Sequence, residues 1–201
     1  MEDGLANAFR SKRLIFRAID DSDEEKTWFH EQIKNDPVGF AFVDSNVLRP
    51  QSRKRNDALL LELQNALLGV IICLPETDDN GKPRPIGVLG LNDEAGDNYR
   101  HHHRLAVLTI CIAAAHRDKG YGAEAINWAA DWAFQRANIH CISLGCVEFN
   151  ERGRHLYEKL GFVLEGRYRQ SHFHERKWWD VLLFSMLENE WEALRGLGKG
   201  E

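Results

Sequence analysis

Two stretches carry side chains and glycines spaced for chemistry. The first is Arg117-Asp118-Lys119-Gly120-Tyr121-Gly122, set between a β-rich apolar run that starts at Leu105 and a strongly apolar helix from about Ala123. A strand feeding a glycine-containing loop that opens a helix aims several backbone N–H groups at one point. That point lies at the positive end of the helix dipole and suits an anion. The two glycines let the backbone approach a diphosphate where a Cβ would intrude. The spacing is not that of a P-loop, which needs four residues between its glycines and a Lys-Ser/Thr after them. Nor is it the dinucleotide fingerprint, which wants three glycines near the start of a βαβ unit.

The second stretch runs from Asn150 to Phe162. Asn150 suits the N-cap of a short helix, and Gly161 the C′ position that ends it. Tyr157 shares a helical face with Gly153 and Leu160, which fits a core aromatic. A buried phenol also wants a partner for its hydroxyl.

The elements that must position these stretches follow from pattern. Met1 to Lys12 reads as a flexible terminus, and Leu14 to Ile19 as a first strand. Asp20-Asp21-Ser22-Asp23 offers N-cap residues for a helix through about Lys34, with Trp28 and Ile33 among its apolar contacts. Gly39 to Val43 is a short apolar run of either type. Arg49 to Arg55 reads as a solvated basic loop, or alternatively as a contact for a cofactor phosphate or an acidic partner. Asn56 to Leu67 suits a helix. Leu68 to Leu74 and Ile86 to Leu91 form a hairpin around Asp79-Asn80-Gly81. Asp93 to His103 is a polar loop leading into the strand from Leu105. The helix after it places Ile126, Ala129, Ala130, Ala133 and Phe134 on one face. Ile139 to Phe149 is a strand, and Phe162 to Gly166 pairs antiparallel with Trp178 to Met186. Arg167 to Lys177 is expected to be a polar connection between those two, and Leu187 to Leu197 a last helix. The order predicts one mixed α/β domain over residues 13–197, with a flexible end at 198–201.

Composition bounds the function. A chain of 201 residues has room for one sizeable core, and 43% hydrophobic and 28% charged residues are ordinary for a globular protein. A net charge of −5 argues against a nucleic-acid partner. No apolar run reaches the length of a membrane span, and MEDGLANAFR lacks a signal peptide's apolar core, so a cytoplasmic protein is expected. Cys73, Cys111, Cys141 and Cys146 fall in apolar runs without paired metal spacing and read as buried reduced thiols. His101-His102-His103 are consecutive, so their side chains cannot all converge, and no metal is expected.

Arg-x-x-Gly-x-Gly after a strand resembles the pyrophosphate loop of the GNAT superfamily, the acyl-CoA-dependent N-acyltransferases. Asn150-x₆-Tyr157-Glu158-Lys159-Leu160-Gly161-Phe162, followed by Glu165-Gly166, is similar to that superfamily's second signature. Trp178-Trp179-Asp180-Val181 is similar to a strand of its branch with ribosomal-protein alanine and polyamine acetyltransferases. The resemblance implies the GNAT fold and direct transfer of the acetyl group of acetyl-CoA to a primary amine. That amine would be a protein or peptide α-amine, a polyamine or a small molecule.

It further implies that backbone groups of Ile110, Cys111 and Ile112 pair with the pantetheine, and that an N–H near Ile112 polarises the thioester carbonyl. The amides of Asp118, Lys119, Gly120, Tyr121, Gly122 and Ala123 would hold the pyrophosphate, with Arg117 and Lys119 adding charge. Asn150 would hydrogen-bond the pantetheine arm, and Tyr157 would be the general acid. The base stays open. Relatives often carry a glutamate at the position of Gly145, and the candidates here are Glu148 or water relayed to His103 or Asp180. A non-catalytic acyl-CoA-binding domain is the alternative. A homodimer through the Trp-rich last strands is a further expectation.

Overall fold

Several element boundaries are chemical events that the sequence announces. Ser22 accepts a hydrogen bond from the amide of Glu25 and starts helix α1, Asp23–Trp28. The chain continues as a π-helical stretch, Phe29–Lys34. Asp36 caps α2, Pro37–Val43, with proline in the first turn where its missing N–H costs nothing. Ser52 caps α3, Arg53–Gln64, so the basic segment expected to be a loop runs into a helix at Arg53. These features come from a computed structural model that describes residues 5–44, 46–77, 81–92 and 101–197. Asp79 and Asn80 of the expected turn, the loop from Asp93 to Arg100 and the end at 198–201 lie outside the described residues.

Among the described residues seven strands form one mixed sheet in the order β1-β2-β3-β4-β5-β7-β6. They are β1 Ile15–Ala18, β2 Leu68–Thr77, β3 Pro83–Asn92, β4 Leu105–Ile112, β5 Cys141–Val147, β6 Val163–His174 and β7 Lys177–Leu187. The remaining α-helices among the described residues are α4 Tyr121–Arg136, α5 Glu151–Lys159 and α6 Glu188–Leu194. Among the described residues no helix is long and apolar enough to cross a membrane.

The chain divides into two compact units, and β4 and α4 each contribute residues to both. The first unit holds Met1–Asn92 and Thr109–Trp128. In it β1 pairs antiparallel with β2, and β2 with β3. Ile19, Phe29, Ile33, Leu60, Ile71, Cys73, Val88 and Ala113 make its core cluster. Part of the terminus expected to be loose is bonded in this unit. The indole of Trp128 donates to the Ala8 carbonyl at 3.0 Å and stacks on Phe16 with ring centroids 3.7 Å apart.

The second unit holds Asp93–Leu108 and Ala129–Glu201. The first residues of β4 pair in parallel with β5, from Leu105↔Cys141 to Val107↔Ser143. β5 and β6 both run antiparallel to β7. Arg167 to Lys177 is not a connection: β6 runs on to His174, and only Glu175 and Arg176 turn the chain. Both have positive φ, 46° and 63°, the backbone of a tight two-residue hairpin. The segment read as a loop because β6 is the sheet's edge and mostly exposed, so it shows no apolar alternation.

Candidate active site

The glycine loop sits where its sequence places it. The helix begins at Tyr121, two residues earlier than Ala123. Asp118 and Gly120 both adopt positive φ, 61° and 79°. Asp tolerates that conformation and Gly adopts it freely, and the curl it gives the backbone turns successive N–H groups toward one side. Among the described residues the amides of Lys119, Gly120, Tyr121, Gly122 and Ala123 have no backbone acceptor; the first intrahelical bond is from Glu124 to the Gly120 carbonyl. Five donors at a helix N-terminus thus stay available for an anion.

Arg13 holds this loop, and nothing local in the sequence marks it for the task. Glu124, in the first turn of α4, accepts from the Ser11 hydroxyl, the Arg13 amide and Arg13 Nε, each at 2.7 Å. Burial by itself would raise the Glu124 pKa, but these hydrogen bonds and the Arg13 charge hold it below the ordinary carboxylate range. Arg13 Nη1 donates to the Lys119 carbonyl at 2.9 Å, and its guanidinium lies 4.7 Å from the centre of the Tyr121 ring. A Cβ on Gly120 would meet Arg13 Nη2 at 3.3 Å. The guanidinium therefore borders the free amides. The Lys119 ammonium bonds to the Ala115 carbonyl at 2.9 Å.

Arg117 is placed differently from the expectation that it adds charge at a phosphate. Its Nε donates to the Ile112 carbonyl at 2.9 Å, and its Nη2 forms an ion pair with Asp36. The two side chains are only 14% and 13% exposed. Asp36 at the same time caps α2 by accepting from the Val38 amide. A Cβ on Gly39 would lie 2.5 Å from both Arg117 Nη2 and Asp36 Oδ2, so this glycine leaves the room the pair occupies. Arg117 thus ties the end of β4 to the start of α2, and one lone pair of the Ile112 carbonyl is already used.

In the second unit Asn150 caps α5: its Oδ1 accepts from the Gly153 amide at 2.9 Å. Gly161, with φ of 92°, ends the helix as the sequence indicates. Tyr157 is half-buried, its ring centre 6.2 Å from that of Phe162 and 6.0 Å from that of Phe184. Gly145 is exposed, and among the described residues a Cβ there would touch Val181 alone, at 3.5 Å. Of the base candidates, Glu148 accepts from the Asp180 amide at 3.4 Å and has Arg167 at 3.8 Å. Asp180 accepts from the Gln170 amide at 2.8 Å and from Arg167 at 3.1 Å. The Gln170 bond first, and then Arg167, hold the Asp180 carboxylate below its usual range, which makes it a poor proton acceptor. His103 is exposed. Cys146 is no nucleophile, since burial pushes its thiol up to about 11.

A family model described as the acetyltransferase (GNAT) family matches residues 7–162, more than half of the chain. The chain belongs to the GNAT acetyltransferases. Among members of that family, the spermidine N(1)-acetyltransferase of Vibrio cholerae is 35% identical over 104 residues, 52% of this chain and 59% of that protein. The putative ribosomal N-acetyltransferase YdaF of Bacillus subtilis is 27% identical over 91 residues, 45% of this chain and 50% of that protein. The matched stretch thus spans about half the length of the curated relatives, from 45% to 59%. The structure of the Vibrio cholerae spermidine N-acetyltransferase in complex with CoA and spermine has the same fold. Its TM-score is 0.72 at 23% identity, covering 90% of this chain and 99% of that one. A GNAT-family acetyltransferase from Bacillus anthracis gives 0.71 at 18% identity, with 90% and 98% covered.

Proposed function

We propose that this GNAT protein transfers the acetyl group of acetyl-CoA to a primary amine. The observation that carries the reading is the row of amides from Lys119 to Ala123 that have no backbone acceptor, bordered by the Arg13 guanidinium. A diphosphate offers the acceptors and the charge those donors lack, and the left-handed Gly120 keeps any Cβ out of its way. The residues therefore fit the cosubstrate. In this reading the amides of Asp118 through Ala123 receive the pyrophosphate, Lys119 and Arg13 lie at its edge, and Arg117 orients the strand that leads to the loop. Backbone groups of Ile110, Cys111 and Ile112 bind the pantetheine, and Asn150 does so with the side-chain nitrogen that capping leaves over. Tyr157 protonates the departing thiolate.

The chain supplies what the reaction needs. An alkylamine with pKa near ~10 is protonated at neutral pH, and freeing its lone pair costs roughly 4 kcal/mol at about pH 7. An acid and a base in place lower the barrier on both sides of the transfer. The test is a panel of protein α-amines, polyamines and small amines incubated with acetyl-CoA and read by mass spectrometry. We expect acetylation of at least one class, together with calorimetric binding of CoA. Binding without turnover on any amine would overturn the enzymatic reading, and no binding would overturn the site.

The same reading extends to a homodimer and to the cytoplasm. β6 is an edge strand, and Val163, Leu164, Tyr168 and Phe173 on it, with Trp178 on β7, are exposed large hydrophobics. An edge of that kind favours pairing with another chain. Sedimentation at micromolar concentration is expected to show a dimer, and a monomer would exclude one. All four cysteines are free, which supports a reducing compartment.

A further inference from the structure

We infer that the cavity between the π-helical stretch, α2 and the segment before α3 receives a carboxylate of the acceptor, so that the preferred substrate is an amine that also carries an acid group. This rests on the acetyltransferase reading above and narrows the acceptor classes it leaves open. The cavity measures about 390 Å³ and lies within the first unit. Pro37, Phe40, Leu48 and Pro50 wall it with apolar surface, and its charged lining residues are Lys34 and Arg49. Among the described residues no carboxylate lines it. The size suits a small ligand or a few residues of a peptide. Apolar walls strengthen the pairing of charges set between them.

Both cations are held in place with donors to spare. The Lys34 ammonium gives one N–H to Asp44 at 3.4 Å and lies 5.9 Å from the centre of the Phe40 ring, which leaves two of its three N–H groups. The exposed Arg49 guanidinium has no hydrogen-bond or ion-pair partner among the described residues. Its backbone is fixed by Gln51, which is 7% exposed. The Gln51 side chain donates to the Arg49 carbonyl at 2.8 Å, and the Gln51 amide donates to Asn35 Oδ1 at 3.3 Å. The charge around the cavity is positive. Asn46 to Asn56 contains Arg49, Arg53, Lys54 and Arg55 and no carboxylate. Arg53 is paired with Asp57 at 2.9 Å, whereas the side chains of Lys54 and Arg55 have no partner among the described residues. All three stand in the first turn of α3, where the helix dipole disfavours cations. That arrangement costs local stability and leaves a field that draws in an anion. A polyamine brings only positive charge into it.

The cavity adjoins the end of β4, where the reading above puts the thioester. Asn35 and Pro37, both in its lining, flank Asp36. Asp36 pairs with Arg117, and Arg117 Nε donates to the Ile112 carbonyl at 2.9 Å. One arginine side chain therefore bridges the cavity wall and Ile112. Lys34 acts on the same strand: burial raises the pKa of the Cys111 thiol, and the charges of Arg117 and then Lys34 work against it. Asp36 neutralises Arg117, so an entering acid group meets Arg49 and the remaining donors of Lys34. An acceptor held there by its carboxylate has its amine on the side of Ile112.

The test uses the full chain, acetyl-CoA and matched acceptors. Peptides with Asp or Glu near the α-amine are compared with their Asn or Gln counterparts, short carboxylate-bearing amines with their carboxamides, and all of them with spermidine. The acid member of at least one kind of pair is expected to exceed its amide by about 10-fold or more in kcat/KM, the scale of one charged hydrogen bond, and to exceed spermidine. The kind of pair that shows the preference tells whether a peptide side chain or a small molecule supplies the carboxylate. Arg49→Gln should bring the acid member down to its amide, and high salt should shrink the parent's preference. Equal kcat/KM within every pair, a preference for spermidine, or a preference that survives Arg49→Gln overturns the inference. Should the variant not fold, a parent preference that is indifferent to salt overturns it. A parent chain that acetylates none of the amines overturns the acetyltransferase reading instead. Calorimetry of the acid and amide members with CoA present then decides the cavity, and equal binding of the two overturns the inference.

Discussion

Replacing Tyr157 with phenylalanine is expected to lower kcat by about 10²–10⁴-fold, the usual contribution of one acid or base, while CoA affinity stays close to the parent value. The ring would keep its place against Phe162 and Phe184, because the substitution removes only the hydroxyl. Folding stability should therefore change little. What is lost is a proton for a leaving thiolate, a group needed in the transition state and not when acetyl-CoA first binds. Steady-state kinetics with the best amine from the panel, beside calorimetry with CoA, separates the two quantities. An unaltered kcat would remove Tyr157 from the chemistry. A parallel drop in CoA affinity would make it a binding residue instead.

Asp36→Ala is expected to have the largest effect on stability and to weaken CoA binding as well. Removing one partner of a mostly buried ion pair leaves the other charge uncompensated and costs about 3 kcal/mol or more. The same change removes the cap of α2, worth roughly 1 kcal/mol. Both losses fall on one carboxylate, since Asp36 serves Arg117 and Val38 together. Urea unfolding measures the stability loss. For binding, two roles of Arg117 predict opposite signs. If Arg117 aligns the root of the loop through the Ile112 carbonyl, freeing it weakens CoA by about tenfold, equivalent to 1.4 kcal/mol. If Arg117 is a phosphate ligand held back by Asp36, freeing it tightens CoA. The geometry favours the first, and a tightened Kd in Asp36→Ala would reverse that assignment.

The geometry of the glycine loop was legible because its signal is local. Two glycines, a preceding strand and a following helix lie within a few residues, and backbone geometry follows from neighbours in the chain. Ser22, Asn150 and Gly161 were legible for the same reason, since a cap acts on amides or carbonyls three or four residues away. The extension of β6 through His174 was not. An edge strand that is exposed along most of its length carries no apolar alternation, and two non-glycine residues at positive φ give no turn signal.

By itself the sequence determined the order of the strands, the place of the glycine loop and of the helix after it, and the second motif with Asn150 and Tyr157. All of these rest on spacing within one element or one turn. Only the tertiary structure decided what surrounds them. Arg13 reaches Glu124 across 111 residues and Arg117 reaches Asp36 across 81. Phe149 meets His172, His174 and Trp179 only because β7 lies between β5 and β6. Partners of this kind leave no mark on local periodicity. They are chosen when the sheet assembles and burial makes an unpaired charge or ring costly.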